Sequence, residues 1–274
     1  MKKNTRPLFS FYLALVMLLA FSTASNARAN SDDMPNQAAL HSVLLYLDDK
    51  DCDGAVRMLN KGIADNQRDL LLMAGAMYED GICLKSNWEQ AALMYQRAHA
   101  AGNRAGLPKL VAGYANNNRD PAAAIWWAAQ KTDALPKFCR ILADPLKDTE
   151  GFIAELSQWT SKKLQDCVYT VAVIFKVQSE VEFPGQALRY GLGGEVSMLF
   201  VPSTGTIEWI KGEENIISVS GTGDDMQDRK SKAIKNTLLN YLQDLGTRAL
   251  KQYKKPDGID PQWKTKIKFL FSFT

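Results

Sequence analysis

The chain has 274 residues, 46% apolar and 23% charged, with a formal net charge of +3. That is an ordinary globular composition, long enough for two modest domains. Residues 1–29 hold four basic residues and no acids, so 29 of the 33 basic residues face 30 acidic ones in the remainder, a net of −1. A nucleic-acid partner thereby loses its simplest support.

At the N-terminus, Lys2, Lys3 and Arg6 precede a nearly unbroken apolar run, Leu8 to Phe21. A small, polar stretch then ends in Ala27-Arg28-Ala29. This three-part pattern predicts a secretory signal peptide over residues 1–29, cleaved after Ala29. An uncleaved anchor is the alternative, but the apolar run is short of the ~20 residues a spanning helix needs. The expected product is a periplasmic protein with no stable membrane span.

Residues 30–36 read as a polar lead-in. Six helices with apolar residues at helical spacing follow: Gln37 to Leu47, Ala55 to Ile63, Asp69 to Tyr78, Trp88 to Ala101, Leu107 to Ala115 and Pro121 to Gln130. Tyr46, Tyr78 and Tyr114 each close a first helix, and Ala55 and Ala91 occupy corresponding places in second helices. A hairpin of this kind cannot bury its apolar face alone, so the recurrence predicts a stack over 37–131. Leu135 to Leu142 and Phe152 to Leu164 read as capping helices in a segment 132–164. The period then changes. Val168 to Val177 is β-branched, aromatic and apolar on both faces, and reads as an interior strand. Glu195 to Val201 and Thr206 to Ile210 flank PSTG as a hairpin. Asp228 to Tyr253 reads as a long helix, and Lys266 to Thr274 alternates as a final strand. The expected fold is α+β in two domains: an α-solenoid, then a small antiparallel sheet with one long helix over 165–274.

An even number of cysteines in an exported chain predicts disulfides. Of the three pairings open to Cys52, Cys83, Cys139 and Cys167, the sequential one fits best. Cys52 and Cys83 lie in turn regions that stacking brings together, and Cys139–Cys167 ties the end of the stack to the next segment. A metal site lacks CxxC spacing and has only His41 and His99 to help.

Two family resemblances follow from quoted residues. AGAMYEDGICL followed by KSNWEQAALMYQRAHAAG resembles a Sel-one-like repeat, the longer-turn relative of the tetratricopeptide repeat. Tyr78, Gly81, Ala91, Tyr95, Ala98 and Gly102 fall on its pattern. The chain departs at Cys83, usually glycine, at Met94, usually Trp, and at His99, usually Ala. The next repeat keeps Tyr114, Ala123, Trp126 and Trp127. This resemblance implies repeat-core roles for Tyr78, Gly81, Ala91, Tyr95, Ala98, Tyr114 and Trp127, and a protein-interaction scaffold. FPGQALRYGLGGEVSMLFVPSTGTIEWI resembles the TonB C-terminal domain, with Pro184, Ala187, Gly194, Val196, Phe200, Gly205 and Ile207 on the pattern. That implies a small sheet able to contact envelope proteins.

No GxSxG, Walker or HExxH motif is present, and no cofactor is expected. Trp126 and Trp127 point about 100° apart on a helix, which leaves Trp126 free for a groove. Lys266, Lys268 and Leu270 mark a strand edge kept soluble until a peptide pairs with it. The expected function is a non-enzymatic scaffold of the Gram-negative periplasm, binding envelope proteins through a helical groove and a sheet edge. The alternatives are a TonB-type energy transducer contacting outer-membrane transporters, and an envelope enzyme.

Overall fold

A computed structural model describes residues 33–132, 134–182, 192–216 and 237–271. The expected signal peptide, Pro184 and Ala187, and the first part of the long helix (228–236) lie outside the described residues.

The first six helices are α1 (Asp33–Asp48), α2 (Cys52–Ala64), α3 (Arg68–Asp80), α4 (Trp88–Ala100), α5 (Gly106–Ala115) and α6 (Pro121–Ala129). The polar lead-in is therefore helical from Asp33 onward, a correction of the expected start. Each even-numbered helix opens the same way. The side chains of Asp51, Asn87 and Asp120 accept from the N–H groups of Gly54, Gln90 and Ala123, satisfying a donor the helix leaves unpaired. Gly81 ends α3 at φ +72, the left-handed conformation glycine takes without a Cβ clash. Cys83, where the quoted repeat pattern has glycine, is also left-handed at φ +55.

Consecutive helices pair as hairpins, α1 with α2, α3 with α4 and α5 with α6, and the hairpins touch through α2–α3 and α4–α5. Small residues admit rings between them. A Cβ on Gly75 would overlap the Tyr95 ring, and one on Gly113 the Trp88 ring. Ala91, Tyr95 and Ala98 are buried, while Tyr78, Tyr114 and Trp127 are half-buried beside them. The Tyr95 hydroxyl donates to Glu79 Oε2 at 2.8 Å.

The capping region differs from expectation. Leu135 to Leu142 holds only a short 3₁₀ turn, Lys137–Cys139. Phe152 to Leu164 is split between α7 (Thr149–Ser157) and the start of α8 (Ser161–Glu180). Asp148 caps α7 through the Gly151 N–H, and Thr160 caps α8 through the Lys163 N–H.

The largest correction is α8 itself, which contains the whole of Val168 to Val177. Every residue from Asp166 to Phe175 is buried. A helix apolar on all sides lies within a core, and there contact with neighbours outweighs the β preference of valine, isoleucine and phenylalanine. Thr170 donates its hydroxyl to the Asp166 carbonyl at 2.7 Å, one helical turn back. Lys162 with Asp166 and Lys176 with Glu180 pair at i,i+4.

The sheet has strands β1 (Leu192–Val201), β2 (Thr206–Ile216) and β3 (Thr265–Phe271), all antiparallel, in the order β2-β1-β3. The expected hairpin and final strand are present, each with shifted ends. Val196, Met198 and Phe200 of β1 share a buried face with Ile267 and Phe269 of β3. Helix α9 (Thr237–Gln252) lies between β2 and α8, with Leu238, Leu242, Leu245 and Ala249 buried. One continuous core joins α5, α6, α8, α9 and the sheet, and a second lies among α1 to α4.

Both expected disulfides form, Cys52–Cys83 and Cys139–Cys167, with Cα separations of 5.1 and 5.5 Å. The second joins the 137–139 turn to α8, a helix rather than the strand first expected.

Candidate site at the edge strand

Strand β3, one of the two outer strands of the sheet, pairs only with β1 among the described residues. Its sequence alternates strictly. Ile267, Phe269 and Phe271 are buried, while Lys266, Lys268 and Leu270 are exposed. Leu270 keeps 73% of its surface accessible.

A cleft of about 520 Å³ runs beside this strand. One wall is Lys268 to Phe271. The opposite wall comes from Arg104, Ala105 and Pro108 at the start of α5, from Lys131 after α6, and from Gln178, Val181 and Glu182 at the end of α8. Elements of the helical stack and of the sheet thus meet over one groove, because α8 packs on α5 and α6 on one side and on α9 on the other. Lys131 Nζ reaches Gln178 Oε1 at 3.4 Å. Lys268 Nζ lies 3.1 Å from Glu195 Oε1 on the neighbouring strand. Arg104 has no ion pair among the described residues. Three cations therefore line the cleft against one carboxylate, Glu182.

A tyrosine fixes the end of α8, where Glu182 joins the groove lining. Tyr241 on α9 donates its hydroxyl to the Glu180 carbonyl at 2.8 Å and accepts from the Glu182 N–H at 2.8 Å. Burial raises the pKa of this phenol, so it stays protonated and keeps donating. Beside it, burial pushes Glu180 up, but Lys176 and Arg248 outweigh burial and leave its carboxyl below the ordinary range.

Of the four residues expected to bind a partner, Lys268 and Leu270 line this cleft. Lys266 lies on the same outer face of β3 but not among the lining residues. Trp126 is half-buried, packs on the core and sets its ring edge-on to Trp127 with centroids 4.7 Å apart. It lines neither this cleft nor the cleft around Trp88, Tyr114 and Arg119 on α4 to α6. Arg104, Lys131, Gln178 and Glu182 carry no sequence signal, because their meeting depends on α8 being a helix.

Two further titratable groups, His99 and Tyr95, are shifted by their surroundings. His99 is half-buried, and burial lowers its pKa, so it is neutral and packs edge-on against Trp127. Burial, then the nearby Glu79, raises the Tyr95 phenol far above its usual range. Among the described residues there is no group of three His, Cys, Asp or Glu side chains placed to hold a metal ion. No helix among them is long and apolar enough to cross a membrane. Compared with models of known families, with curated proteins and with solved structures, the chain finds no match.

Proposed function

We propose that the chain is an exported interaction protein rather than an enzyme. On this reading it captures an extended segment of another envelope protein by adding it as a strand to β3. The observation that carries the reading is the cleft beside β3, where an edge strand, the exposed Leu270 and three cations from separate elements converge. Strand addition supplies main-chain hydrogen bonds, and the flanking side chains supply selectivity. Lysines alone would be explained as protection of an open edge. Arg104 and Lys131 are not on the edge, yet they face it, and charge on the far wall selects an occupant rather than blunting a strand.

The two disulfides support passage through an oxidising compartment. The succession of helical hairpins supports a scaffold role, and the small antiparallel sheet supplies its edge. The sheet edge forms one wall of this site, and the other comes from helical segments that do not include Trp126. Its occupant is an extended peptide that alternates acidic with apolar residues.

The test uses two capped ten-residue peptides, alternating Glu with Val or Lys with Val. Fluorescence anisotropy should show saturable binding of the acidic peptide only. Arg104→Glu and Lys131→Glu should each weaken it about tenfold, and amide exchange should slow across residues 265–271. Equal affinity for both peptides, or protection confined to other segments, would overturn the reading.

A further inference from the structure

A second cleft, of about 670 Å³, lies away from the edge strand. It is bounded by the turn after α5, by one face of α8, and by the chain that follows α9. The α8 face contributes Lys162, Gln165 and Tyr169, spaced to project on one side of a helix. The chain after α9 contributes Lys254, Lys255 and Asp257, and the turn contributes the amides of Asn117 and Asn118.

Tyr169 singles this cleft out. The residue is only 5% exposed, and its ring packs against Phe200 with centroids 5.8 Å apart. Its hydroxyl makes no hydrogen bond among the described residues, and the oxygen is not itself buried, so it opens into the cleft. The contrast is Tyr253 in the same cleft, whose hydroxyl donates to the Ala112 carbonyl at 2.9 Å. The Tyr169 oxygen is close to Lys255. A Cβ placed on Gly205 would lie 3.3 Å from that oxygen and 3.1 Å from Lys255 Cδ. Burial pushes this phenol up to about 12, so at neutral pH it is a donor.

The charges are unequal. Lys162 is held by Asp166 at 2.5 Å, and Lys255 donates to the Ser203 carbonyl at 3.1 Å. Lys254 is exposed and has no partner among the described residues. Asp257 is the single carboxylate among the lining side chains.

We propose that this cleft binds a small organic oxyanion, with its charged group among Lys162, Lys254 and Lys255 and a second oxygen accepting the Tyr169 hydroxyl. Amides along the wall suit a ligand carrying further oxygens, since each offers both a donor and an acceptor. Carboxylates and phosphate esters share this chemistry, and the experiment separates them.

The purified protein is labelled with ¹³C in its tyrosine rings, and the Tyr169 signal is assigned by its loss in Tyr169→Phe. Citrate and inorganic phosphate are titrated separately. The Tyr169 signal should move saturably with at least one: citrate alone marks a carboxylate site, phosphate alone a phosphate-ester site, and both a general oxyanion site. By calorimetry, Lys254→Gln should weaken binding of that probe about tenfold and Tyr169→Phe about fivefold. Tyr169→Phe should not lower the thermal midpoint, because the hydroxyl it deletes has no protein partner to lose. No saturable movement with either probe, or unchanged affinity in both variants, overturns the proposal.

Discussion

Two stretches of this chain have nearly the same chemistry and opposite structures. Val168 to Val177 and Thr265 to Phe271 are both rich in β-branched and aromatic residues. The first is the middle of α8 and the second is the edge strand β3. Composition does not separate them, but exposure does. Burial in β3 alternates along the strand, whereas in α8 it is continuous from Asp166 to Phe175. A half-buried strand needs a period of two. A run without a period can be either element, and its flanks decide. The flanks of α8 are helical, with a Thr160 cap and two pairs at i,i+4, Lys162 with Asp166 and Lys176 with Glu180.

The contrast predicts unequal tolerance, and its largest effect is in α8. Val173→Pro removes a helical hydrogen bond and clashes with the preceding turn in a segment with no exposed side. The loss is more than about 3 kcal/mol before lost packing is counted, enough to threaten a fold of ordinary stability. Leu270→Lys on β3 changes a side chain already in water, and should stay within about 0.5 kcal/mol. Urea unfolding followed by circular dichroism measures both. Comparable losses in the two variants would break the distinction between a central helix and an edge strand.

Sequence made some of this architecture legible and hid the rest for a physical reason. The hairpins α1 to α6 were readable because each is local: a polar cap, a small-residue face and a turn within a few dozen residues. The Cys52–Cys83 pairing was readable because turns of stacked hairpins are neighbours. Lys268 and Leu270 were readable from alternation alone. The far wall of the groove was not. Arg104, Lys131, Gln178 and Glu182 meet β3 only because α8 packs between the helical stack and α9, and reading α8 as a strand removes that wall. Trp126 shows the converse: the angle between it and Trp127 was readable, but the core that half-covers it was not.

The disulfides sharpen the comparison at intermediate size. Their sequence separations, 31 and 28, are nearly equal, so loop closure contributes a similar ~2–4 kcal/mol to each. Their surroundings differ. Cys139 and Cys167 are both fully buried, whereas Cys52 is exposed and Cys83 half-buried. Replacing Cys139 and Cys167 together by alanine leaves space within the shared core. Replacing Cys52 and Cys83 leaves it near the surface. The first double variant should therefore lose more stability, by about 1 kcal/mol, in urea titrations of the oxidised proteins. Equal losses would mean that the α8 attachment is no more tightly packed than the hairpin turns.

The smallest effect lies where α8 ends beside the groove. Glu180 receives Lys176 at 2.6 Å and Arg248 of α9 at 3.2 Å. Burial opposes its charge, but these cations prevail, and its carboxyl ionises below the ordinary range. A folded pKa below the unfolded one stabilises the protein above the unfolded value, about 4.3 for glutamate. That contribution is lost as pH falls through the folded pKa. Arg248 is half exposed and also pairs with Asp244, so solvent screens the contact and its worth at pH 7 is about 1 kcal/mol or less. Glu180→Gln should lose that amount near neutrality and converge on the parent protein in acid, when stability is compared at pH 7 and at about pH 3. The backbone at the end of α8 should survive the change, because Tyr241 holds the Glu180 carbonyl and the Glu182 N–H rather than the carboxylate. A stability gap independent of pH would show that Glu180 acts through packing, and that charge contributes nothing to fixing the end of α8 against α9.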